Sequence, residues 1–167
     1  MENRKRARTK LLLMALLCIS PVLGSWALYA ARVPLGQRSV GELLPTQPFA
    51  AAAAPDWPHG KWVLAGVAHS ECASACQGRV FALRQIQVAQ GEDAGRMQRV
   101  MLTDIASVDS KGAKVVHVAA SGLPQRDGGL YLIDPLGNQV MFYSDRTEPT
   151  KVIREVTKIL KTNNGLG

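Results

Sequence analysis

The sequence predicts an α/β domain, with a central mixed sheet flanked by helices, preceded by one N-terminal transmembrane helix. Residues 11–31 form a run of 21 uncharged residues, and a helix of that length crosses a bilayer core. Beyond this run, short apolar stretches typical of buried strands alternate with stretches of helical periodicity. The length of 167 residues suits one ordinary domain after the helix.

The positive charge of the chain is concentrated at its N-terminus. The net formal charge is +7, and residues 1–10 carry five Lys or Arg residues against one Glu. Such localisation argues against a basic nucleic-acid-binding face. It predicts a cytoplasmic tail over 1–10 and a transmembrane helix over 11–31. We expect a single-pass protein of a bacterial inner membrane with a periplasmic C-terminal domain; a cleaved secretory signal, the alternative, also exports the domain.

Segment 32–60 is rich in proline and alanine. Proline at this density disfavours long helices and leaves the backbone mostly extended. The composition therefore predicts a stalk between the membrane and the domain, with Phe49 or Trp57 as the side chains able to hold parts of it against the domain.

Segment 61–161 carries the elements of the predicted domain, and 162–167 is expected to be a flexible tail. Apolar runs predict strands and 3.6-residue periodicity predicts helices. The strands are expected at 62–68, 100–103, 130–133 and 140–143, and the helices at 75–90 and after Thr147. Asp134–Gly137 joins the last two strands with the Pro and Gly positions of a type I turn. Between 104 and 126 the signal is weak, with a short strand or a loop at 115–119.

Two cysteines, Cys72 and Cys76, lie with CxxxC spacing where the first predicted strand of the domain gives way to the helix at 75–90. The predicted elements follow one another as strand, cysteine turn, helix, strand, hairpin and helix. This is the thioredoxin-like order. With the CxxxC pair, the anchor and the hairpin LIDPLGNQVMFY, the chain resembles the Sco/SenC family, membrane-anchored proteins that deliver copper to cytochrome c oxidase. The resemblance implies a thioredoxin-like domain over 61–161 and copper as the metal. It also implies a cytochrome c oxidase subunit or another copper-site assembly factor as the partner.

The chain departs from the family pattern at two positions. Where the family has the histidine that completes a Cys-Cys-His copper site, this chain has Arg126, and Gln77 replaces the usual proline after the second cysteine. A guanidinium cannot coordinate a metal, so we expect Arg126 to offset the negative charge of two thiolates instead. Copper delivery therefore does not simply carry over.

The two thiols can nevertheless act without that histidine. Cys72 would lie at the start of a helix, where unpaired N–H groups and the helix dipole favour a thiolate. A thiolate attacks disulfides and is also a soft ligand for Cu(I). Cys76 lies one turn later, so that the two sulfurs can form a disulfide or converge on one ion. We predict a redox pair; the alternative is a structural disulfide that contributes about 2 kcal/mol.

Histidines supply the candidates for a third ligand. His69, three residues before Cys72, could complete a two-thiolate site or be a solvated turn residue. His117 is a weaker candidate, and His59 belongs to the predicted stalk. The predicted metal site is therefore Cys72 and Cys76, with His69 as the candidate addition.

Three functions stay open on the sequence. The first is a copper-handling factor for cytochrome c oxidase assembly, and the second is a thiol–disulfide reductase. The third is a redox-inactive assembly scaffold. The arginine at position 126 weakens the first function and leaves the second intact.

Overall fold

The computed structural model describes residues 2–31, 39–69, 74–106, 108–126, 128–165 and 167. The chain divides into two units, one ending at Arg38 and one beginning at Ser39. The helices are α1 (Glu2–Ala30), α2 (Ser74–Val88) and α3 (Pro149–Thr162). The strands are β1 (Glu42–Leu43), β2 (Trp62–Ala68), β3 (Met97–Thr103), β4 (Lys114–His117), β5 (Gly129–Ile133) and β6 (Gln139–Ser144).

Helix α1 contains the predicted membrane segment. Its Arg8–Ala27 part, with a mean hydropathy of 1.7, is long and apolar enough to cross a membrane. Pro21 lies inside the helix without ending it. The helix predicted over 11–31 is therefore present, and the orientation of the protein in a membrane stays a prediction.

The sheet of the second unit is mixed, as the sequence predicts. Its strand order is β1-β6-β5-β2-β3-β4, with β2, β3 and β4 parallel to one another and the other neighbours antiparallel. Strand β2 lies inside the sheet, and all seven of its residues are buried. This burial explains its continuous apolar sequence, because a strand covered on both faces has no solvent side.

Two hydrophobic layers cover the two faces of the sheet. On one face α2 and α3 pack through Cys76, Val80, Leu83, Val152 and Val156. The side chains of Leu64, Met101 and Leu132 face them from the strands. On the other face lie Phe49, Trp57, Val116, Leu123 and Phe142, together with the alternate residues of the strands.

Segment 39–60 packs on the domain, which differs from the extended stalk that its prolines predict. Strand β1 pairs with β6, and the Phe49 N–H donates to the Gly137 carbonyl at 2.9 Å. The rings of Phe49 and Tyr131 lie 5.4 Å apart between centroids. The physical reason is that the sheet face opposite the helices needs an apolar cover, and Phe49 and Trp57 supply it.

A carboxylate on α3 holds the start of this segment. Glu155 accepts hydrogen bonds from the Ser39 hydroxyl at 2.9 Å and from the amides of Val40 and Gly41 at 3.0 and 2.9 Å. Tyr143 is buried beneath Gly41. Burial raises the pKa of Tyr143 well above its ordinary value, and the Glu155 carboxylate raises it further.

Candidate thiol site

Cys76 lies in the first turn of α2, close in sequence to the C-terminal end of β2. Its side chain is buried in the stripe of α2 that packs on the sheet, and it is disulfide-bonded. The N-terminal half of the CxxxC motif, including Cys72, falls in 70–73, outside the described residues. The pairing and roles of Cys72 and Cys76 therefore stay predictions.

Arg79 follows Cys76 by three residues and is the charged residue of α2 closest to it in sequence. Both side chains lie on the side of the helix that packs on the domain. Residues three apart on a helix are surface neighbours, with about 5–6 Å between their Cβ atoms. The Arg79 side chain is only 11% exposed, and its Nη1 donates to the carbonyl of Val67 near the end of β2. The pairing of β2 with β5 ends at Gly66, and the guanidinium bonds a carbonyl just beyond that point.

Asp145 balances this cation from the turn after β6. Its Oδ2 accepts a hydrogen bond from Arg79 Nε at 3.1 Å, and its side chain is 35% exposed. The Asp145 amide donates to the carbonyl of Gly128, just before β5, at 2.9 Å. The end of β2, the start of α2, the approach to β5 and the turn after β6 thus meet at one end of the sheet.

Arg126 does not point toward Cys76. Its Nη1 donates to Glu42 Oε2 at 2.6 Å, and its guanidinium lies over the Phe142 ring, 5.6 Å from the centroid. The pKa of Arg126 is raised, first by the hydrogen bond to Glu42 and then by the charge of that carboxylate. Phe142 belongs to the sheet face opposite Cys76. Arg126 is thus paired with Glu42 on the sheet face opposite Cys76. Because Cys72 lies outside the described residues, the effect of Arg126 on the thiolates stays a prediction.

The histidines lie apart from one another. His69 is exposed directly after β2, whereas His117 is exposed at the end of β4, in register with Thr103 of β3. Strand β3 therefore separates His117 from the strand that leads to the cysteines. Within the described residues, no group of three or more His, Cys, Asp or Glu side chains could hold a metal. The use of His69 as a ligand stays a prediction.

A groove opens beside α2, the helix that carries Cys76. It has a volume of about 330 Å³ and lies between one side of α2 and the end of β6 with the start of α3. Ala75, Phe81 and Tyr143 contribute apolar walls, and the Arg79–Asp145 pair lies in its lining. Ala75, which precedes Cys76 in the chain, is one of the lining residues of the groove.

Comparisons with known proteins agree with this architecture. The family described as transmembrane-like, thioredoxin-like, C-terminal domain matches residues 62–163, more than half of the chain. No curated protein sequence matches.

Several solved Sco structures are similar to this chain. Yeast Sco1 is 14% identical over 76% of this chain and 97% of its own, with a TM-score of 0.51. Copper-bound ScoI of Arabidopsis thaliana is 16% identical over 62% and 86%, with a TM-score of 0.48. The apo Sco1 of Thermus thermophilus is 14% identical over 76% and 99%, also with a TM-score of 0.48. The likeness to yeast Sco1 confirms the thioredoxin-like fold that the sequence predicts.

Proposed function

This chain belongs to the family of transmembrane-like, thioredoxin-like C-terminal domains, and we propose that it assists the assembly of a cytochrome c oxidase copper site. It does so as a membrane-anchored, periplasm-facing protein whose Cys72 and Cys76 act as a dithiol–disulfide couple. The observation that carries the proposal is the position of Cys76, which lies in the first turn of the helix that follows the buried strand β2. In a thioredoxin-like fold this is where the reactive thiols lie.

The proposed reaction reduces a disulfide of the partner, such as one between copper-site cysteines. The Cys72 thiolate attacks one sulfur of that disulfide, and the partner's other sulfur leaves as a thiolate with the electron pair of the broken bond. The Cys76 thiolate then attacks the Cys72 sulfur and releases the second partner thiolate. Two electrons have passed to the partner, and Cys72 and Cys76 are bridged. An external dithiol must then reduce the bridge.

Transfer of Cu(I) is the second candidate, supported by the soft thiolate ligands of the motif. Copper would here be cargo, held by Cys72 and Cys76. The described residues offer no cluster of three ligands, and the side chain of Arg126 lies on the other sheet face with Glu42. Because Arg126 stands where the family has its third ligand, we expect Cu(I) binding to be weak. We expect Arg126→His to leave it unchanged, because the Arg126 side chain lies with Glu42. The arginine at position 126, where the family has a ligand histidine, is the reason to propose disulfide exchange ahead of copper delivery.

The test is a redox titration of the full chain in detergent on a Cys18→Ser background, which removes the free thiol of the membrane helix. Alkylation and mass spectrometry count the thiols at equilibrium with reduced and oxidised glutathione. We expect a reversible two-electron couple that Cys72→Ser abolishes. A dithiol that stays reduced in oxidised glutathione, or a bridge that resists strong reductant, would contradict the proposal.

A parallel Cu(I) titration of the reduced protein separates the two candidates. Weak binding in the wild type agrees with disulfide exchange. Tight binding that His69→Ala abolishes would instead establish copper handling, with His69 as the third ligand. A reporter that is active only outside the cytoplasm, fused after Gly167, tests the orientation in the membrane.

A further inference from the structure

We propose that the groove between α2 and the start of α3 binds an extended apolar segment of a partner protein. One bulky side chain of that segment enters the groove, and the peptide N–H and C=O of the same residue bond Asp145 and Arg79. The binding uses neither the cysteines nor copper and therefore goes beyond the proposed function.

Most of the residues that line the groove are apolar. Ala82 and Ile86 line it from α2, Pro149 and Val152 line it from the start of α3, and Leu130 lines it from β5. The volume of about 330 Å³ lies at the lower end of the range of ligand pockets, about 300–1,000 Å³. The groove therefore suits one bulky apolar side chain rather than a large cofactor.

Two large apolar side chains are exposed on the solvent side of α2. Phe81 lines the groove and is 62% exposed, and Val88, seven residues further along, is 68% exposed. Residues seven apart on a helix share a face. Exposed apolar side chains beside a concave apolar surface are typical of interaction sites. A partner segment that occupies the groove would also cover the Phe81 ring.

The polar end of the groove offers one hydrogen-bond donor and one acceptor. Arg79 Nε donates to Asp145 Oδ2 at 3.1 Å, and Arg79 Nη1 donates to the Val67 carbonyl. Arg79 Nη2 and Asp145 Oδ1 make no hydrogen bond to any described residue. Among the described residues, the one buried side-chain polar atom without a partner is Arg99 Nη1. Arg79 Nη2 and Asp145 Oδ1 are therefore open to the surface and able to bind a ligand.

This donor and this acceptor match the two polar groups of an extended peptide residue. In an antiparallel strand pair, one residue presents its N–H and its C=O to the same side. The peptide C=O accepts from Arg79 Nη2, and the peptide N–H donates to Asp145 Oδ1. Main-chain hydrogen bonds of this kind, combined with a pocket for a side chain, are a recurring way of binding extended peptides.

The charges around the groove favour a neutral occupant. Arg79 and Asp145 neutralise each other, and Glu148 and Lys151, around the start of α3, bind each other at 3.1 Å. Arg146 is exposed, so water and salt screen its charge. A ligand with a net charge finds no unpaired opposite charge in either pair. A neutral peptide segment with an apolar side chain therefore fits better than a phosphate or an ammonium group.

The experiment is an NMR titration of the full chain in phosphatidylcholine nanodiscs, because detergent would compete for an apolar groove. The probe is N-acetyl-leucine methylamide, which has one bulky apolar side chain and both peptide groups. One control probe, N-acetyl-glycine methylamide, lacks the side chain. A second control is the ester analogue of the leucine probe, in which an oxygen replaces the leucine N–H.

We expect saturable chemical-shift changes at Phe81, Ala82 and Val152 with the leucine probe and none with the glycine probe. The hydrogen bond from the leucine N–H to Asp145 should make the amide bind about three- to tenfold more tightly than the ester. Asp145→Asn presents an NH₂ group in place of Oδ1 when its oxygen accepts from Arg79 Nε. This variant should therefore lose the preference for the amide.

Gly78→Leu fills the groove with little risk to the fold. A Cβ atom at Gly78 has open space around it, with no atom beyond its own stretch of helix within 4 Å, and leucine is a better helix former than glycine. We expect this variant to weaken binding of the leucine probe about tenfold or more. Val88→Leu, on the same helix but outside the lining, is the matched control and should bind like the wild type.

Four results would overturn the proposal. The first is equal binding of the leucine and glycine probes, and the second is unchanged binding in Gly78→Leu. The third is equal affinity for the amide and the ester in the wild type, because the groove would then hold an apolar group without contacting a peptide. The fourth is the appearance of the same shifts without a probe when two chains share one disc, because the occupant would then be a second copy.

The amide preference of Asp145→Asn completes the test. A preference that persists in this variant would place the peptide N–H elsewhere and overturn the proposal. If Asp145→Asn does not fold, the wild-type preference and Gly78→Leu decide. No thiol takes part in the binding, so loss of the Cys72–Cys76 couple refutes the proposed function alone, whereas failure of the probe to bind refutes this inference alone.

Discussion

Gly129 is the position where a single added methyl group is expected to disturb the domain most. It is buried at the start of β5 and faces Ser144 of β6 in the antiparallel register. A Cβ atom at Gly129 would lie 2.1 Å from the Tyr143 carbonyl oxygen and 2.7 Å from Phe142 Cζ. The nearer atom belongs to the backbone, so the clash is relieved only if β5 and β6 separate.

The magnitude follows from two costs. Overpacking a filled site costs about 1–3 kcal/mol, and each backbone hydrogen bond lost from the β5–β6 ladder costs about 1 kcal/mol more. We therefore expect Gly129→Ala to lower the free energy of unfolding by about 3 kcal/mol or more, a hundredfold change in the folding equilibrium. Against a total stability of about 5–15 kcal/mol, this loss is large.

Gly128→Ala is the matched control. Gly128 is exposed, and the nearest atom to its added Cβ, Asp145 Oδ2, lies at 4.0 Å. We expect its effect to stay within about 0.5 kcal/mol.

Urea unfolding of the full chain in detergent, followed by the fluorescence of the buried Trp57 and Trp62, measures both variants. We expect the midpoint of Gly129→Ala to fall by about 1–3 M relative to the control. Equal midpoints for the two variants would refute the close approach of β5 and β6.

Three further outcomes are expected. Because the pKa of Tyr143 is raised in the folded protein and lies near 10 in an unfolded chain, the free energy of unfolding should fall as pH rises above about 10. Tyr143→Phe should flatten that fall in urea titrations at pH 8 and 10.5; an unchanged slope would contradict the assignment. Arg96 donates to the carbonyls of Leu160 and Asn163 at the end of α3, at 3.1 and 2.8 Å. Arg96→Met should therefore destabilise the domain by about 2 kcal/mol in the same urea assay. A neutral result would show that these hydrogen bonds make no net contribution to stability. Glu155→Gln should speed hydrogen exchange at the amides of Val40 and Gly41 about tenfold, and unaltered exchange there would argue against the carboxylate contacts.

The strands and helices could be predicted from the sequence wherever their burial leaves a local pattern of apolar residues. Strand β2 is buried throughout and has a continuous apolar sequence. Strand β3 begins at Met97, three residues before the predicted start, because Gln98 and Arg99 interrupt the apolar pattern although they pair with β2. For segment 39–60 the sequence indicated an extended stalk and offered Phe49 or Trp57 only as possible anchors, because its packing depends on a distant sheet face that its own proline content does not reveal.

Of the candidate site, only the cysteine motif could be predicted from the sequence. The CxxxC spacing marks the thiols directly in the sequence, and the structure places Cys76 at the start of α2. The bond between Arg79 and Asp145 joins residues 66 positions apart, and no short motif encodes it. The position of Arg126 was predicted by analogy, but its rotamer and its partner Glu42 depend on how β1 closes the edge of the sheet.

The two edges of the sheet influence how the domain behaves when many copies are crowded together. On one edge, β1 contributes only two residues, too few to align a neighbouring strand. On the other edge, β4 presents exposed Lys114 and His117, and a lysine on an edge strand opposes stacking against a like-charged copy. A short edge on one side and a lysine on the other are therefore the means by which this sheet resists edge-to-edge aggregation.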